Sequence, residues 1–116
     1  MKNEFYERYP MLKENEDKIE KVIEAIINTY NSGGTVLLCG NGGSESDCDH
    51  IVGEFMKGFM LKRPFKGEDR NAIVKAFGTE DAVKNFQYAV PAISLPSLSA
   101  VNTAFINDVG PDFVYA

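Results

Sequence analysis

Gly40-Asn41-Gly42-Gly43-Ser44, followed by Asp47, His50 and Glu54, holds the residues best suited to chemistry in this chain. Glycines at positions 40, 42 and 43 permit close backbone approach and positive φ, and Asn41 tolerates the same conformations. The turn follows the apolar run Val36-Leu37-Leu38-Cys39 and leads into a helical pattern. A glycine turn at a helix N-terminus presents bare backbone N–H groups to an anion, and a phosphate is the natural guest. His50 and Glu54 stand at i and i+4, on one helix face. An imidazole and a carboxylate so placed could hold a divalent metal together with further ligands. Glu54 could instead act as a general base beside a bound phosphate. The plainer alternative is a surface hydrogen bond between the two side chains.

Neighbouring residues have simpler readings. Asp47 lies three residues after Ser44, the spacing of a capping box with Ser44 as N-cap. Cys48 falls on another side of the helix from His50 and reads as packing. Ser97, Ser99, Asn107 and Asp108 follow a second apolar run, Ala92-Ile93-Ser94-Leu95. Ligands of open α/β sheets sit at the carboxyl ends of strands, so these polar residues could line the same pocket. The turn is neither a P-loop nor a dinucleotide fingerprint. No Gly-Lys-Ser/Thr follows it, and the third glycine and the distant acidic residue are missing. No nucleotide cofactor is expected.

The elements that must position these residues follow from periodicity. Residues 1–10 form a short aromatic-rich segment ending at Pro10. From about Asn15 to Tyr30, apolar residues at Ile19, Val22, Ile23, Ile26, Ile27 and Tyr30 predict an amphipathic helix stopped by Ser32-Gly33-Gly34. Thr35–Cys39 reads as a parallel strand buried on both faces. The helix after the glycine turn is expected to reach about Leu61. Residues 65–88 are strongly charged and predict an exposed insertion, about 62–89, with one or two short helices. Ala92–Leu95 is the second strand, Ser99–Phe105 a helix, and Asn107–Pro111 a loop. This order is an α/β pattern, yet two strands are few for such a sheet, so the domain reads as incomplete.

The bulk numbers narrow the function classes. The chain has 116 residues, 44% hydrophobic and 25% charged, as in an ordinary globular domain. A net charge of -5 and a pI near 4.8 speak against nucleic-acid binding. No apolar run approaches the ~20 residues of a membrane span, and the first residues lack a signal-peptide core. Two cysteines at 39 and 48 do not make a disulfide framework, so a reduced cytoplasmic setting is expected.

The run Gly40–Ser44 with Asp47, His50 and Glu54 resembles the start of a sugar isomerase (SIS) domain, specifically the phosphoheptose isomerase branch. Pro91-Ala92-Ile93-Ser94-Leu95 and Asn107-Asp108-Val109-Gly110 resemble that branch's second strand and Asn-Asp-x-Gly loop. The resemblance implies a three-layer, flavodoxin-like α/β fold, with a parallel sheet between helices. It places the whole chain, residues 1–116, in a single partial SIS domain with N-terminal helices at about 3–31. It implies aldose–ketose isomerisation of a phosphorylated sugar, sedoheptulose 7-phosphate in the namesake enzymes, through an enediol. By motif position, Asn41, Gly42, Gly43 and Ser44 would hold substrate, and Asn107 and Asp108 would line the pocket. Glu54 would be the base or a metal ligand, and His50 a zinc ligand as in metal-binding members. The family is a homo-oligomer, dimer or tetramer, with sites built between subunits. Its second half, with further strands and a second phosphate loop, has no counterpart in these residues. The chain by itself is therefore expected to have little or no isomerase activity.

Overall fold

A computed structural model of the chain describes residues 2–115. It divides into two compact units, Met1–Gly34 and Thr35–Ala116.

The first unit is helical: α1 (Lys2–Arg8), a 3-10 segment (Pro10–Asn15) and α2 (Glu16–Asn31). Acidic Glu16 and Asp17 occupy the first turn of α2, where the helix dipole favours negative charge. At its end, Ser32 N–H bonds the Asn28 carbonyl at 3.0 Å, and Gly33 turns the chain with φ +73. Tyr6 is buried, edge-on to Phe5 at 5.1 Å and with the Lys13 ammonium 4.8 Å above its ring. The expected apolar stripe of α2 is present, but Val22, Ile23 and Ile27 on it are exposed.

The second unit carries β1 (Val36–Leu38), α3 (Gly43–Met56), α4 (Gly67–Phe77), α5 (Glu80–Asn85), β2 (Ala92–Ser94) and α6 (Ser99–Asp108). A short 3-10 segment, Pro111–Phe113, follows. The two strands pair in parallel, Val36 with Ala92, Leu37 with Ile93 and Leu38 with Ser94. Helix α3 packs on β2. Ala92, Ser94, Cys48 and Pro96 are buried there. This mixture of parallel strands and covering helices is that of a partial α/β fold.

Several boundaries differ from the sequence expectation. Burial on both faces is not found for β1. Leu37 and its register partner Ile93 are 60% and 42% exposed. Side chains alternate across a strand, so α3 can cover only one face of the pair, and no helix covers the other among the described residues. Helix α3 ends at Met56 rather than near Leu61. The Phe55 carbonyl there accepts from the Val90 N–H at 2.8 Å and from Arg63 Nη2 at 2.6 Å. Lys57 then turns to an extended conformation. Helix α6 extends through Asn107 and Asp108, where the sequence predicts a loop.

Between residues 62 and 89 the chain makes a helical hairpin. Helix α4 stops at left-handed Gly78, and the Thr79 hydroxyl caps α5 by accepting from the Asp81 N–H at 3.2 Å. Arg70 pairs with Glu80, and Phe77 packs on Phe86 at 5.2 Å. The two ends of the excursion meet. Tyr88 N–H bonds the Arg63 carbonyl at 2.8 Å, Arg63 Nε bonds the Tyr88 carbonyl at 2.8 Å, and Arg63 N–H bonds Gln87 Oε1 at 3.1 Å.

Candidate functional site

The glycine turn begins where β1 ends. A Cβ on Gly40 would stand 2.7 Å from Ser44 Cβ and 2.9 Å from Ser44 C and O, so the first turn of α3 rests directly on the strand end. Gly42 adopts φ 58, ψ -120, a conformation that glycine reaches without strain. That torsion turns the chain early, so Gly42 is the N-cap and α3 starts at Gly43. The Gly42 carbonyl accepts from Glu45 N–H at 3.1 Å and Ser46 N–H at 3.4 Å, and the Asn41 carbonyl from Ser44 N–H at 3.2 Å. Ser44 is therefore inside the helix rather than at its N-cap, no side chain caps the N-terminus, and Glu45, not Asp47, stands at the N3 position of a capping box. The N–H groups of Gly42 and Gly43 have no intramolecular acceptor among the described residues, which leaves them available to an anion.

Tyr115 reaches this turn from the far end of the chain. Its hydroxyl lies 3.3 Å from the Gly40 carbonyl and 3.2 Å from Asn41 Oδ1 and donates to this pair. One proton shared between two acceptors fixes the Asn41 amide and leaves its Nδ2 group free to donate. Nothing local in the sequence marks Tyr115, because 74 residues separate it from Asn41.

Along α3, His50 Nε2 and Glu54 Oε1 lie 3.0 Å apart, with the two side chains 74% and 40% exposed. The i, i+4 spacing thus brings them into contact on one face. Both line an open groove of ≈ 550 Å³ together with Asp49, Lys57, Phe59 and Lys62. Asp49 is the second residue that local reasoning missed. Its Oδ1 accepts from Ser97 Oγ at 2.5 Å, tying α3 to the turn after β2, and Ser97 Oγ in turn lies 3.4 Å from buried Ser94 Oγ. Hydrogen bonding by Ser94 and then Ser97 holds the Asp49 carboxyl below its ordinary range, against a smaller desolvation effect in the other direction. Cys48, one residue earlier, packs inward as expected. Burial, then the nearby Cys39, Asp49 and Asp47, pushes its thiol up.

Of the polar residues after β2, Ser97 thus joins the α3 side of the site. Asn107 and Asp108 lie in the last turn of α6, bonded to each other at 2.8 Å. Asp108 borders another, more apolar concavity with Val101, Ala104 and Val109. The structure sets the turn, Asp49, His50 and Glu54 along one helix and ties Ser97 to Asp49, while the groove that His50 and Glu54 line does not include residues 41–44. Asp108 lies on a different helix surface.

The donor set falls short of a zinc centre. Structural or catalytic zinc takes three or four protein ligands. His50 and Glu54 supply two, and the described residues contain no group of three His, Cys, Asp or Glu that could hold a metal.

No helix among the described residues is long and apolar enough to cross a membrane. Comparison with known proteins places the site in a family context. Residues 6–79 match the SIS domain family model, a span that includes the glycine turn, His50 and Glu54 but not Asn107 or Asp108. A phosphoheptose isomerase of Clostridium acetobutylicum is 33% identical over 99 residues, covering 85% of this chain and 36% of that protein. One from Thermodesulfovibrio yellowstonii is 33% identical over 104 residues, covering 90% and 40%. One from Roseiflexus sp. is 32% identical over 98 residues, covering 84% and 38%. The chain therefore spans well under half the length of these relatives. With a matching family model across most of its residues, and a strand–turn–helix unit of the kind described, this chain belongs to the SIS domain family.

Proposed function

We propose that this chain binds a sugar phosphate at the Asn41–Ser44 turn, and that within a complete SIS domain it contributes to aldose–ketose isomerisation, sedoheptulose 7-phosphate being the first substrate to test. The observation that carries the reading is the placement of the His50–Glu54 pair on the same helix whose N-terminus carries the glycine turn. Helix α3 rises ~1.5 Å per residue, so along the axis His50 lies about 10 Å and Glu54 about 17 Å beyond Gly43. Helical side chains lean toward the N-terminus, which brings the Glu54 carboxylate back toward a phosphorylated sugar held at the turn.

In such a reaction a base removes the proton from the carbon beside the carbonyl. The resulting enediol regains a proton on the neighbouring carbon, and the carbonyl has moved with no atom lost. Glu54 is the base in this reading. Oε1 is engaged by His50, while Oε2 has no intramolecular donor among the described residues. The turn N–H groups and Asn41 Nδ2 hold and orient the phosphate end. No step is assigned to zinc, because the described residues supply an incomplete donor set. Ligands from additional chain or a second subunit would have to complete it. Assembly into a homo-oligomer belongs to the same proposal. The exposed apolar stripe of α2 supports it.

A binding role without turnover is favoured for the 116 residues alone, because they span 36–40% of the relatives' lengths. Thermal melting separates the readings. A ligand at a hundred times its Kd stabilises the native state by about 2.7 kcal/mol, which raises Tm by about 10 °C in a domain of this size. Sedoheptulose 7-phosphate or a simpler sugar phosphate is expected to produce that shift. A folded chain whose Tm is indifferent to every sugar phosphate refutes the binding site. In a chain extended to the relatives' length, Glu54→Gln should keep the shift and abolish turnover.

A further inference from the structure

Asn41 is the only residue between Gly40 and Gly43 with a side chain, and it is exposed. An exposed asparagine samples several rotamers, and a ligand that uses it must freeze one at a cost in affinity. The structure removes that freedom beforehand. Half-buried Tyr115 brings its hydroxyl to 3.2 Å from Asn41 Oδ1 and 3.3 Å from the Gly40 carbonyl oxygen. Both partners are oxygens, so the hydroxyl donates its one proton to them. No other side chain among the described residues bonds the Asn41 amide. Oδ1 is thereby occupied, and Nδ2 keeps both protons for an external acceptor. It stands next in sequence to the Gly42 and Gly43 N–H groups, which have no intramolecular acceptor among the described residues. The tie reaches the turn from beyond α6, where Gly110, at φ 128, and the 3-10 segment Pro111–Phe113 carry the chain back to the strand end.

We propose that Tyr115 is a positioning residue of the phosphate site: it holds the Asn41 side chain so that Nδ2 meets the anion, and it touches no ligand atom itself. The role rests on the reading of the turn as a phosphate site. The Asn41 rotamer is set before the ligand arrives, so binding does not bear the cost of ordering it. Pre-setting one such side chain is worth about two- to tenfold in affinity. The tie also fixes polarity. With Oδ1 committed to the hydroxyl, the amide offers only donors, which suits an oxyanion and leaves no lone pair to repel it.

Inorganic phosphate is the probe, titrated at constant ionic strength into the 15N-labelled chain, with Kd read from the Gly42 and Gly43 amides. Tyr115→Phe removes only the hydroxyl and should raise Kd by about two- to tenfold. Its spectrum away from residues 40–44 and 115 reports that the fold is kept. General loosening of the turn would mimic that loss, so the substitution is repeated on an Asn41→Ala background. There the hydroxyl has no amide to hold, and its removal should change Kd by clearly less, making the two substitutions non-additive. Asn41→Asp keeps an acceptor for Tyr115 but replaces Nδ2 by a charged oxygen, and should abolish saturable binding. Equal Kd for the parent and Tyr115→Phe overturns the positioning role. So does an equal effect of Tyr115→Phe in both backgrounds, or saturable binding by Asn41→Asp. A folded parent with no saturable shift at residues 42 and 43 refutes the turn as a phosphate site and this role with it, a pattern distinct from a failure of the variants alone.

Discussion

Replacing Gly40 by alanine tests whether the start of α3 is seated on the strand end. The new Cβ would meet Ser44 Cβ at 2.7 Å and Ser44 C and O at 2.9 Å. Comfortable contacts between such atoms are about 3.5–4.0 Å, so roughly an ångström must be found. Two of the three atoms met are backbone, and no rotamer change relieves them. The first turn of α3 must therefore lift from β1, or the turn must open. Overpacking of this kind costs about 1–3 kcal/mol. Each kcal/mol lowers Tm by about 4–8 °C in a domain of 60–100 residues, so a fall of about 5–20 °C is expected. Gly43→Ala is the matched control. Gly43 is helical and a Cβ there meets nothing within 4 Å. Reduced freedom in the unfolded chain should leave that variant equal to the parent or more stable by about 0.4–1 kcal/mol. Circular dichroism melts of the three proteins decide the matter. A Gly40→Ala variant melting within about 2 °C of the parent would refute the close approach of turn and strand, because the smallest overpacking cost exceeds that shift.

Two other substitutions probe long-range ties. Hydroxyls of Ser94 and Ser97 depress the Asp49 carboxyl in the folded state, so its contribution is complete above the unfolded value of about 3.9 and lost as pH falls through the folded value. Asp49→Asn should therefore lower the urea midpoint at neutral pH and flatten its decline below about pH 4; a variant whose acid decline parallels the parent's would contradict the Ser97 tie. Arg63→Ala removes the guanidinium bonds to the Phe55 and Tyr88 carbonyls. At about 1.5–3 kcal/mol for a charge-assisted bond that is part-buried, a loss of about 2–4 kcal/mol is expected, with faster amide exchange at Tyr88 and Val90. Unchanged exchange at those two amides would rule out Arg63 as the clasp of the helical hairpin.

The strand, glycine turn and helix were legible in the sequence because each depends on neighbours. An apolar run, three glycines and a 3.6-residue period need no distant partner to be read. The i, i+4 contact of His50 with Glu54 follows from helix geometry in the same way. The capping-box spacing puts the cap two residues late, at Ser44, because only the backbone torsion of Gly42 reveals where the helix begins. Other features depend on residues far apart in the chain. Helix α3 stops at Met56 because Arg63 and Val90 take the Phe55 carbonyl. Asp49 becomes part of the site through Ser97, 48 residues away, and the Asn41 amide is oriented by Tyr115, 74 residues away. Whether a strand is covered on one face or two is likewise a matter of how many elements pack on it. Leu37 and Val36 are indistinguishable as apolar strand residues, yet only the face beneath α3 is shielded. Local torsion and periodicity set the elements of this chain; which hydrogen-bond partners and packing surfaces those elements meet was decided by tertiary contacts, which no short window of sequence contains.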